Sequence, residues 1–199
     1  PASIAALDLS TVDAVINAAG ALQDGAGDSL DAVHHTGIAT LIARCEAEGV
    51  ERFVQISAAG AATDASTPFL RTKAAGDSAL RASGLSWVIL KPGLVLGRES
   101  YGGTTLLRAL AALPLVQPIT FADSTVDIVS LDYVATQPAH FALYACSVEL
   151  EVDLLADTPI RFDALLTAMQ ARLGWGTARL LPLPGFMARG VGLVGDAAA

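Results

Sequence analysis

Short apolar runs alternate along this chain with longer stretches in which apolar residues recur every three or four positions. The runs Val12–Asn17, Val50–Ser57 and Trp87–Leu90 have the length and composition of strands. The last is almost continuously apolar, as expected for a strand buried on both faces. Helical patterns separate the three runs, and strands joined by helical crossovers are parallel. The pattern therefore predicts an α/β fold in which a doubly wound parallel sheet lies between two layers of helices.

The ends of the first two helices are marked by capping and turn residues. Asp28 or Ser29 can cap the first helix, and Gly49 ends it. Thr67 caps the second helix, with Pro68 at its first position. The first helix carries its apolar residues on one side, at Leu30, Val33, Ile38, Leu41, Ile42 and Cys45.

Beyond the third strand the pattern is less regular. No internal repeat occurs, and no linker rich in Gly, Ser or Pro divides the chain. The elements predicted there are a helix over Thr104–Leu113, a strand over Thr125–Val129, a helix from an Asp132 cap to about Tyr144, a strand over Leu150–Leu155 and a helix over Phe162–Leu173.

The composition is that of a folded chain with a sizeable core. Of 199 residues, 53% are apolar and 16% are charged, which argues against disorder. The net charge of −8, with only 12 Lys and Arg, leaves no basic stripe for a phosphate backbone, so we predict no nucleic-acid partner. No run of about 18 apolar residues and no signal peptide occur, which predicts no membrane span in this chain and a cytoplasmic location.

The residue types that commonly bind metals do not lie at ligand spacings. Cys45 and Cys146 are distant in sequence, and Cys45 falls on the apolar side of a predicted helix, which indicates a buried thiol. His34 and His35 are adjacent on a helix, about 100° apart, and cannot chelate one ion together. We therefore predict no metal site.

Candidate ligand-contacting residues gather at one end of the predicted sheet. Ser57 closes the second strand, Lys73 lies one turn into the next helix, and Pro92-Gly93 end the third strand. Ligands of open α/β folds bind outside the carboxyl ends of the strands. Each residue also has a simpler interpretation, as a strand-end cap, a solvated lysine or a strand-breaking pair. Asn17, which ends the first strand, is also common in turns.

Four segments, in this order, resemble the later part of a short-chain dehydrogenase/reductase. They are NAAG (residues 17–20), FVQIS (53–57), TKAAGDSALRASGLSWVIL (72–90) and KPGLVLG (91–97). The resemblance runs from Val12 to about Tyr144. It is to the extended and atypical branch, which includes nucleotide-sugar epimerase-like proteins, NmrA-like proteins and relatives of the dinucleotide-binding accessory subunit of respiratory complex I.

The resemblance implies a Rossmann-like fold, NAD or NADP as cofactor and a small-molecule substrate. Residues 1–145 would be the later part of the dinucleotide-binding domain, and residues 146–199 a C-terminal substrate-side lobe of the same domain. Ser57 and Lys73 would be the catalytic residues. The cofactor-binding residues implied are Asn17, Ala18, Ala19, Gly20, Ser57, Lys73, Pro92, Gly93, Leu94 and Val95.

One departure from the family concerns catalysis. Its active members use a Tyr four residues before the Lys as the acid/base, and Phe69 stands at that position here. Such proton transfer contributes about 10²–10⁴-fold in rate. The sequence thus predicts an oxidoreductase or nucleotide-sugar epimerase-like protein with a non-standard active site. Tyr101, in the loop after the third strand, is a candidate substitute proton donor, although loop tyrosines more often pack or face solvent. The alternatives are a non-catalytic NAD(P)-binding sensor or assembly scaffold, and a fragment that binds no ligand.

The other departure concerns the beginning of the fold. The family opens with a strand and a Gly-rich G-x-x-G-x-x-G turn that binds the pyrophosphate, whereas the run at Val12 matches its fourth strand. We expect the sequence to be a piece of a longer protein that carries this turn upstream; an evolved half-domain is the alternative. The choice between NAD and NADP, the substrate and the oligomeric state stay open.

Overall fold

The computed structural model of the chain describes residues 4, 6–25, 29–99, 103–143, 146–174, 176 and 178–183. The predictions that involve Asp28, Tyr101 and Tyr144 lie outside the described residues. The chain divides into two compact units that interleave in sequence. The first comprises Pro1–Gly93 and Asp132–Leu154, and the second comprises Leu94–Leu131 and Leu155–Ala199. The division at residues 145 and 146 stays a prediction.

Strands and helices alternate through most of the described chain. The strands are β1 (Ala14–Asn17), β2 (Arg52–Ile56), β3 (Ser86–Pro92), β4 (Leu94–Leu96), β5 (Val116–Ile119), β6 (Thr125–Val126), β7 (Ile128–Ser130), β8 (Glu149–Leu154), β9 (Ile160–Arg161) and β10 (Arg179–Pro182). The α-helices are α1 (Gly37–Glu48), α2 (Pro68–Arg81), α3 (Gly103–Ala111), α4 (Leu131–Ala142) and α5 (Phe162–Arg172). No helix in these described segments is long and apolar enough to cross a membrane.

The first unit contains a four-stranded sheet in the order β1-β2-β3-β8, with every pair parallel. Asn17 at the end of β1 lies opposite Gln55, and Ile56 at the end of β2 lies opposite Leu90. The middle of β3 is fully buried, as its unbroken apolar run predicts. The predicted parallel α/β sheet is confirmed.

Helices cover both faces of this sheet. On one face, Ile38, Ile42 and Cys45 of α1 and Leu80 of α2 pack in a single cluster with apolar residues of β2 and β3. The predicted burial of the Cys45 thiol is thereby confirmed. On the other face, the buried Arg52 guanidinium donates to the Phe141 carbonyl of α4 at 3.1 Å. A cation at that end of a helix also interacts favourably with the helix dipole.

The helix ends follow the capping residues, with one exception. Thr67 Oγ1 accepts a hydrogen bond from the Leu70 N–H at 3.3 Å, and Gly49 ends α1 at φ 77°. Ser29 Oγ accepts from the Ala32 N–H at 3.3 Å. The exception is that Ala32–Thr36 form a π-helical turn before α1.

Gly76 of α2 lies against this π-helical turn. A Cβ at Gly76 would be 2.0 Å from the His34 carbonyl oxygen, which belongs to the backbone and cannot rotate away. The two backbones therefore approach at a distance that glycine alone permits.

The second unit is built from small strand pairs around its own core. β4 pairs with β7 and β5 with β10 in parallel, while β6 and β9 are antiparallel. Leu107, Ile119, Leu165 and Leu166 form the centre of that core.

Sequence predictions for residues 94–142 differ from the structure in four places. The predicted strand Thr125–Val129 is two strands that break at Asp127, whose carbonyl accepts from the Leu94 N–H at 2.7 Å. Asp132 lies inside the first turn of α4 and is not its cap. Two short strands were not predicted: β4, Leu94–Leu96, and β5, Val116–Ile119.

Candidate functional site

Lys73 of α2 reaches the ends of two neighbouring strands. Its Nζ donates to the Ala19 carbonyl at 3.3 Å, just after β1, and to the Ile56 carbonyl at 3.0 Å, at the end of β2. The residue is 4% exposed. An ammonium group has three N–H donors, so two are used by the backbone and one remains for a ligand. We call this end of the sheet, from Asn17 to Gly20 and at Ile56 and Ser57, the carboxyl edge.

The backbone that follows β1 is exposed beside this ammonium group. Ala18, Ala19 and Gly20 are all exposed. A Cβ placed on Gly20 would lie 3.5 Å from Lys73 Nζ and 3.8 Å from His34 Nε2. Because glycine has no Cβ, no side chain of residue 20 lies against the ammonium.

Asn17 shapes the turn at the end of β1. Its Oδ1 accepts from the Ala19 N–H at 3.2 Å, and its Nδ2 donates to Gln55 Oε1 at 2.8 Å. The side chain is buried, and its direct role is that of an Asx turn. Gln55 is fully buried, and its Nε2 has no hydrogen-bond partner among the described residues. The Asn17 and Gln55 side-chain amides therefore hold the backbone of the carboxyl edge in place.

Ser57 and Asp77 form a buried pair below the same edge. Ser57 Oγ donates to Asp77 Oδ2 at 2.6 Å, and both residues are almost wholly buried. Burial raises the pKa of the Asp77 carboxyl, against the opposing effect of the Ser57 hydrogen bond. Asp77 follows Lys73 by four residues and therefore shares its helix face. Burial lowers the pKa of Lys73, and the Asp77 charge opposes that shift.

His34 is a site residue that the sequence analysis missed. Its Nε2 accepts from the Ala21 N–H at 3.0 Å, and its Nδ1 lies 2.9 Å from Thr72 Oγ1. The ring is fully buried and meets Phe69 edge-on, with centroids 5.4 Å apart. Burial, and then the Lys73 charge, lowers the pKa of His34 to about 4. A signal was present, since His34 lies four residues after Leu30 and four before Ile38, on the buried side of the helix.

The other predicted residues lie around or away from this group. The Pro92 carbonyl accepts from the Ala59 N–H at 2.9 Å, and the Gly93 N–H donates to the Leu154 carbonyl at 3.2 Å. Both therefore belong to the same sheet. Leu94 and Val95 lie on β4, in the second unit. The structure thus brings together Asn17, Ala18, Ala19, Gly20, Ser57 and Lys73.

A cavity of about 760 Å³ lies at the opposite end of the sheet. It is lined near the starts of β2 and β3 by Glu51, Arg52 and Ser86, among others. Arg52 already donates to carbonyls at Phe141 and Cys146. The cavity is therefore at the amino ends of the strands, away from the predicted ligand edge.

Comparisons with known proteins identify the family and the fold of this chain. A family model described as NAD(P)H-binding matches residues 3–112. A comparison with curated proteins gives no match.

Solved structures that resemble this one include three with NAD bound. MoeE5 in complex with UDP-glucose and NAD is 17% identical at a TM-score of 0.68, over 90% of this chain and 73% of that one. UDP-glucuronic acid 4-epimerase from Bacillus cereus in complex with NAD is 15% identical at a TM-score of 0.73, and the match covers 90% of this chain and 67% of that one. UDP-glucose 4-epimerase from Thermus thermophilus in complex with NAD is 22% identical at a TM-score of 0.67, and the match covers 86% of this chain and 65% of that one.

At these identities the structural likeness establishes the fold, and the family match covers more than half of the chain. The predicted Rossmann-like fold and the predicted resemblance to the extended reductases are confirmed, and NAD or NADP as cofactor is confirmed at the level of the family. The chain belongs to the NAD(P)H-binding family and has the Rossmann-like fold of the nucleotide-sugar epimerases in the extended branch of the short-chain dehydrogenase/reductases.

Proposed function

We propose that this protein binds NAD or NADP at the carboxyl edge and retains the dinucleotide without fast proton transfer to a substrate. The observation that carries the proposal is the position of Lys73. Its ammonium is held by two backbone carbonyls next to the exposed Ala18–Gly20 backbone, with one N–H left.

These residues fit the ribose end of a dinucleotide. A ribose offers hydroxyl groups that accept hydrogen bonds from an ammonium and donate them to backbone carbonyls. Gly20 has no side chain to stand between a ligand and the Lys73 ammonium, and its backbone is exposed. Lys73 Nζ and the backbone of Ala18, Ala19 and Gly20 would hold the ribose. NAD(P), when bound, supplies a hydride donor or acceptor.

The proton that accompanies hydride transfer has no evident source among the described residues of this edge. Phe69, one turn before Lys73, carries no hydroxyl. The Ser57 hydroxyl hydrogen is directed at Asp77. This supports a sensor or an assembly scaffold over an ordinary reductase.

A second candidate function is an oxidoreductase or epimerase that acts on a small or nucleotide-linked substrate. It is favoured by the fold, which is shared with proteins whose structures contain UDP-glucose or UDP-glucuronic acid together with NAD. It requires a proton donor from elsewhere, and Tyr101 is the first candidate. A cytoplasmic location and the absence of a nucleic-acid partner stay predictions.

The test is calorimetric titration of the full-length protein with NADH and NADPH, comparing Lys73→Met with the wild type. A hydrogen bond to a charged group is worth about 1.5–3 kcal/mol, so affinity should fall roughly tenfold or more. Arg71→Met is the matched control, because Arg71 is exposed on the same helix and bonds only within its own segment, to the Ala65 carbonyl. Equal affinity of the wild type and Lys73→Met would overturn the proposed role of Lys73.

Turnover assays separate the two candidates. Wild-type protein incubated with NAD and UDP-glucose or UDP-glucuronic acid should show no turnover at ordinary enzyme rates of about 1–10³ s⁻¹. Turnover at such rates would overturn dinucleotide retention as the function and favour the second candidate.

A further inference from the structure

We propose that His34 is a positioning residue for this site, and that it fixes the Ala18–Ala21 backbone against α2 and thereby sets dinucleotide affinity. The proposal rests on the proposed function, since it concerns the same carboxyl edge. It adds a residue that neither the family match nor the sequence motifs assign.

The hydrogen bond from Ala21 determines which nitrogen of His34 carries the hydrogen. A backbone N–H is a donor only, so His34 Nε2, at 3.0 Å from it, must present a lone pair. In the neutral ring the hydrogen is then on Nδ1. Nδ1–H donates to Thr72 Oγ1 at 2.9 Å.

Thr72 completes a hydrogen-bond chain in one direction. Its Oγ1 lies 3.0 Å from the carbonyls of both Pro68 and Phe69, so the hydroxyl hydrogen has an acceptor within the first turn of α2. The Ala21 N–H therefore donates to His34, His34 donates to Thr72, and the Thr72 hydroxyl donates to a backbone carbonyl of α2. The loop after β1 is connected in this way to α2, the helix that also provides Lys73.

The His34 ring is held from its other sides as well. It is fully buried and lies edge-on to Phe69. Its own backbone belongs to the π-helical turn, which lies so close to Gly76 that a methyl group there would overlap the His34 carbonyl. π-Helical turns are rare and frequently occur at functional sites. The turn thus directs an immobile imidazole at the loop.

The charge state of the ring is consistent with this role. A protonated imidazole donates from both nitrogens and would oppose the Ala21 N–H. Burial and the Lys73 charge lower the pKa of His34 to about 4, which keeps the ring neutral at physiological pH.

Two measurements on the wild-type full-length protein test the bonded arrangement without any ligand. Nitrogen-15 NMR should show His34 neutral with its hydrogen on Nδ1. Hydrogen exchange of the Ala21 amide should be at least tenfold slower than in His34→Phe, which keeps an aromatic ring but cannot accept the bond. A hydrogen on Nε2, or equal exchange in the two proteins, would overturn the proposal.

Affinity measurements test the effect on the site. A net hydrogen bond corresponds to a change of about threefold to tenfold, so His34→Phe should bind NADH or NADPH more weakly by that factor. Thr72→Val should weaken binding in the same direction, and Thr72→Ser, which keeps the hydroxyl, should bind as the wild type does. His35→Phe is the matched control, because His35 is adjacent, more exposed and bonded to Asp31.

Different results would overturn the proposed dinucleotide binding and the proposed role of His34. Wild-type protein that binds neither dinucleotide overturns the proposed function and, with it, the role of His34 in affinity. Wild-type protein that binds while His34→Phe and Thr72→Val bind equally well overturns the role of His34 alone. If His34→Phe does not fold, the Thr72→Val and Thr72→Ser pair decides the question.

Discussion

Ser57 donates its hydroxyl hydrogen to Asp77 across 2.6 Å, and the pair joins the end of β2 to the buried face of α2. A hydroxyl has one hydrogen, so Ser57 can offer a bound substrate only its remaining lone pairs. The catalytic role predicted for Ser57 stays a prediction. Its structural role follows directly from the burial of both partners.

Removal of the Ser57 hydroxyl should therefore destabilise the fold. In Ser57→Ala the buried Asp77 loses its donor, and an unsatisfied buried group costs about 1–3 kcal/mol or more when charged. Urea denaturation measures the free energy of unfolding. Ser78→Ala is the control, because Ser78 is exposed on the same helix and its hydroxyl donates to the Ala74 carbonyl of that helix. Equal small losses in both variants would show that the Ser57–Asp77 bond contributes nothing measurable.

Acidification should destabilise the protein through His34. The unfolded ring titrates near 6.5 and the folded ring at about 4, so between these values the unfolded state binds more protons. Stability from this residue is fully present above pH 6.5 and is lost as the pH falls toward 4. The loss is at most about 3.5 kcal/mol, since the pKa differs by about 2.5 units and each unit corresponds to about 1.4 kcal/mol.

Unfolding curves of the wild type and His34→Phe, compared from pH 7 to 4, isolate this contribution from that of other groups. The difference in stability between the two proteins should shrink on the acid side. A difference that is independent of pH would contradict the lowered pKa of His34.

Gly76→Ala should destabilise strongly, although alanine normally favours a helix by up to about 1 kcal/mol over glycine. The new Cβ would lie 2.0 Å from the His34 carbonyl and 2.9 Å from Ile38 Cδ1, so α2 and the π-helical turn must separate. We expect a loss of about 3 kcal/mol or more. Gly25→Ala, where a Cβ meets nothing within 4 Å, should change the melting temperature little. Similar melting temperatures for both variants would exclude the close approach.

Phe69→Tyr should leave dinucleotide affinity unchanged and test whether the rest of the site is competent. The ring keeps its helix face, and the hydroxyl is added one turn before Lys73, whose charge would lower the Tyr pKa. Slow turnover with a carbonyl or alcohol substrate, gained in Phe69→Tyr and absent in the wild type, is the expected result. If affinity falls instead, the hydroxyl collides with the His34 ring, which lies edge-on to Phe69.

The sheet and its helices could be predicted because local signals agreed with the tertiary structure. The apolar run at Trp87–Leu90 is a buried central strand, and Thr67 with Pro68 begins α2 as capping rules require. The strands that were missed are short: β4, β5, β9 and β10 have two to four residues each and depend on pairing with distant partners. No local pattern signals such pairing.

The position of Lys73 at the carboxyl edge could be predicted from its motif, and its role stays a prediction, whereas no role could be assigned to His34 or Asp77. A histidine among apolar helix positions usually indicates a satisfied buried side chain, and its partners, Ala21 and Thr72, lie in other elements. Asp77 is four residues after Lys73, a spacing that predicts a shared helix face. Its bond to Ser57 depends on how α2 packs on β2, which sequence spacing does not specify.

The interleaving of the two units has a consequence for synthesis on the ribosome. β8, the fourth strand of the sheet, begins at Glu149, after Leu94–Leu131 have been added to the other unit. A nascent chain that has emerged only to Gly93 carries β3 as an unpaired apolar edge, the kind of edge that recruits chaperones or pairs with other chains. Parallel pairing over such a separation is also slow. The edge of β3 therefore stays unpaired while residues 94–148 are translated, until β8 can pair with it.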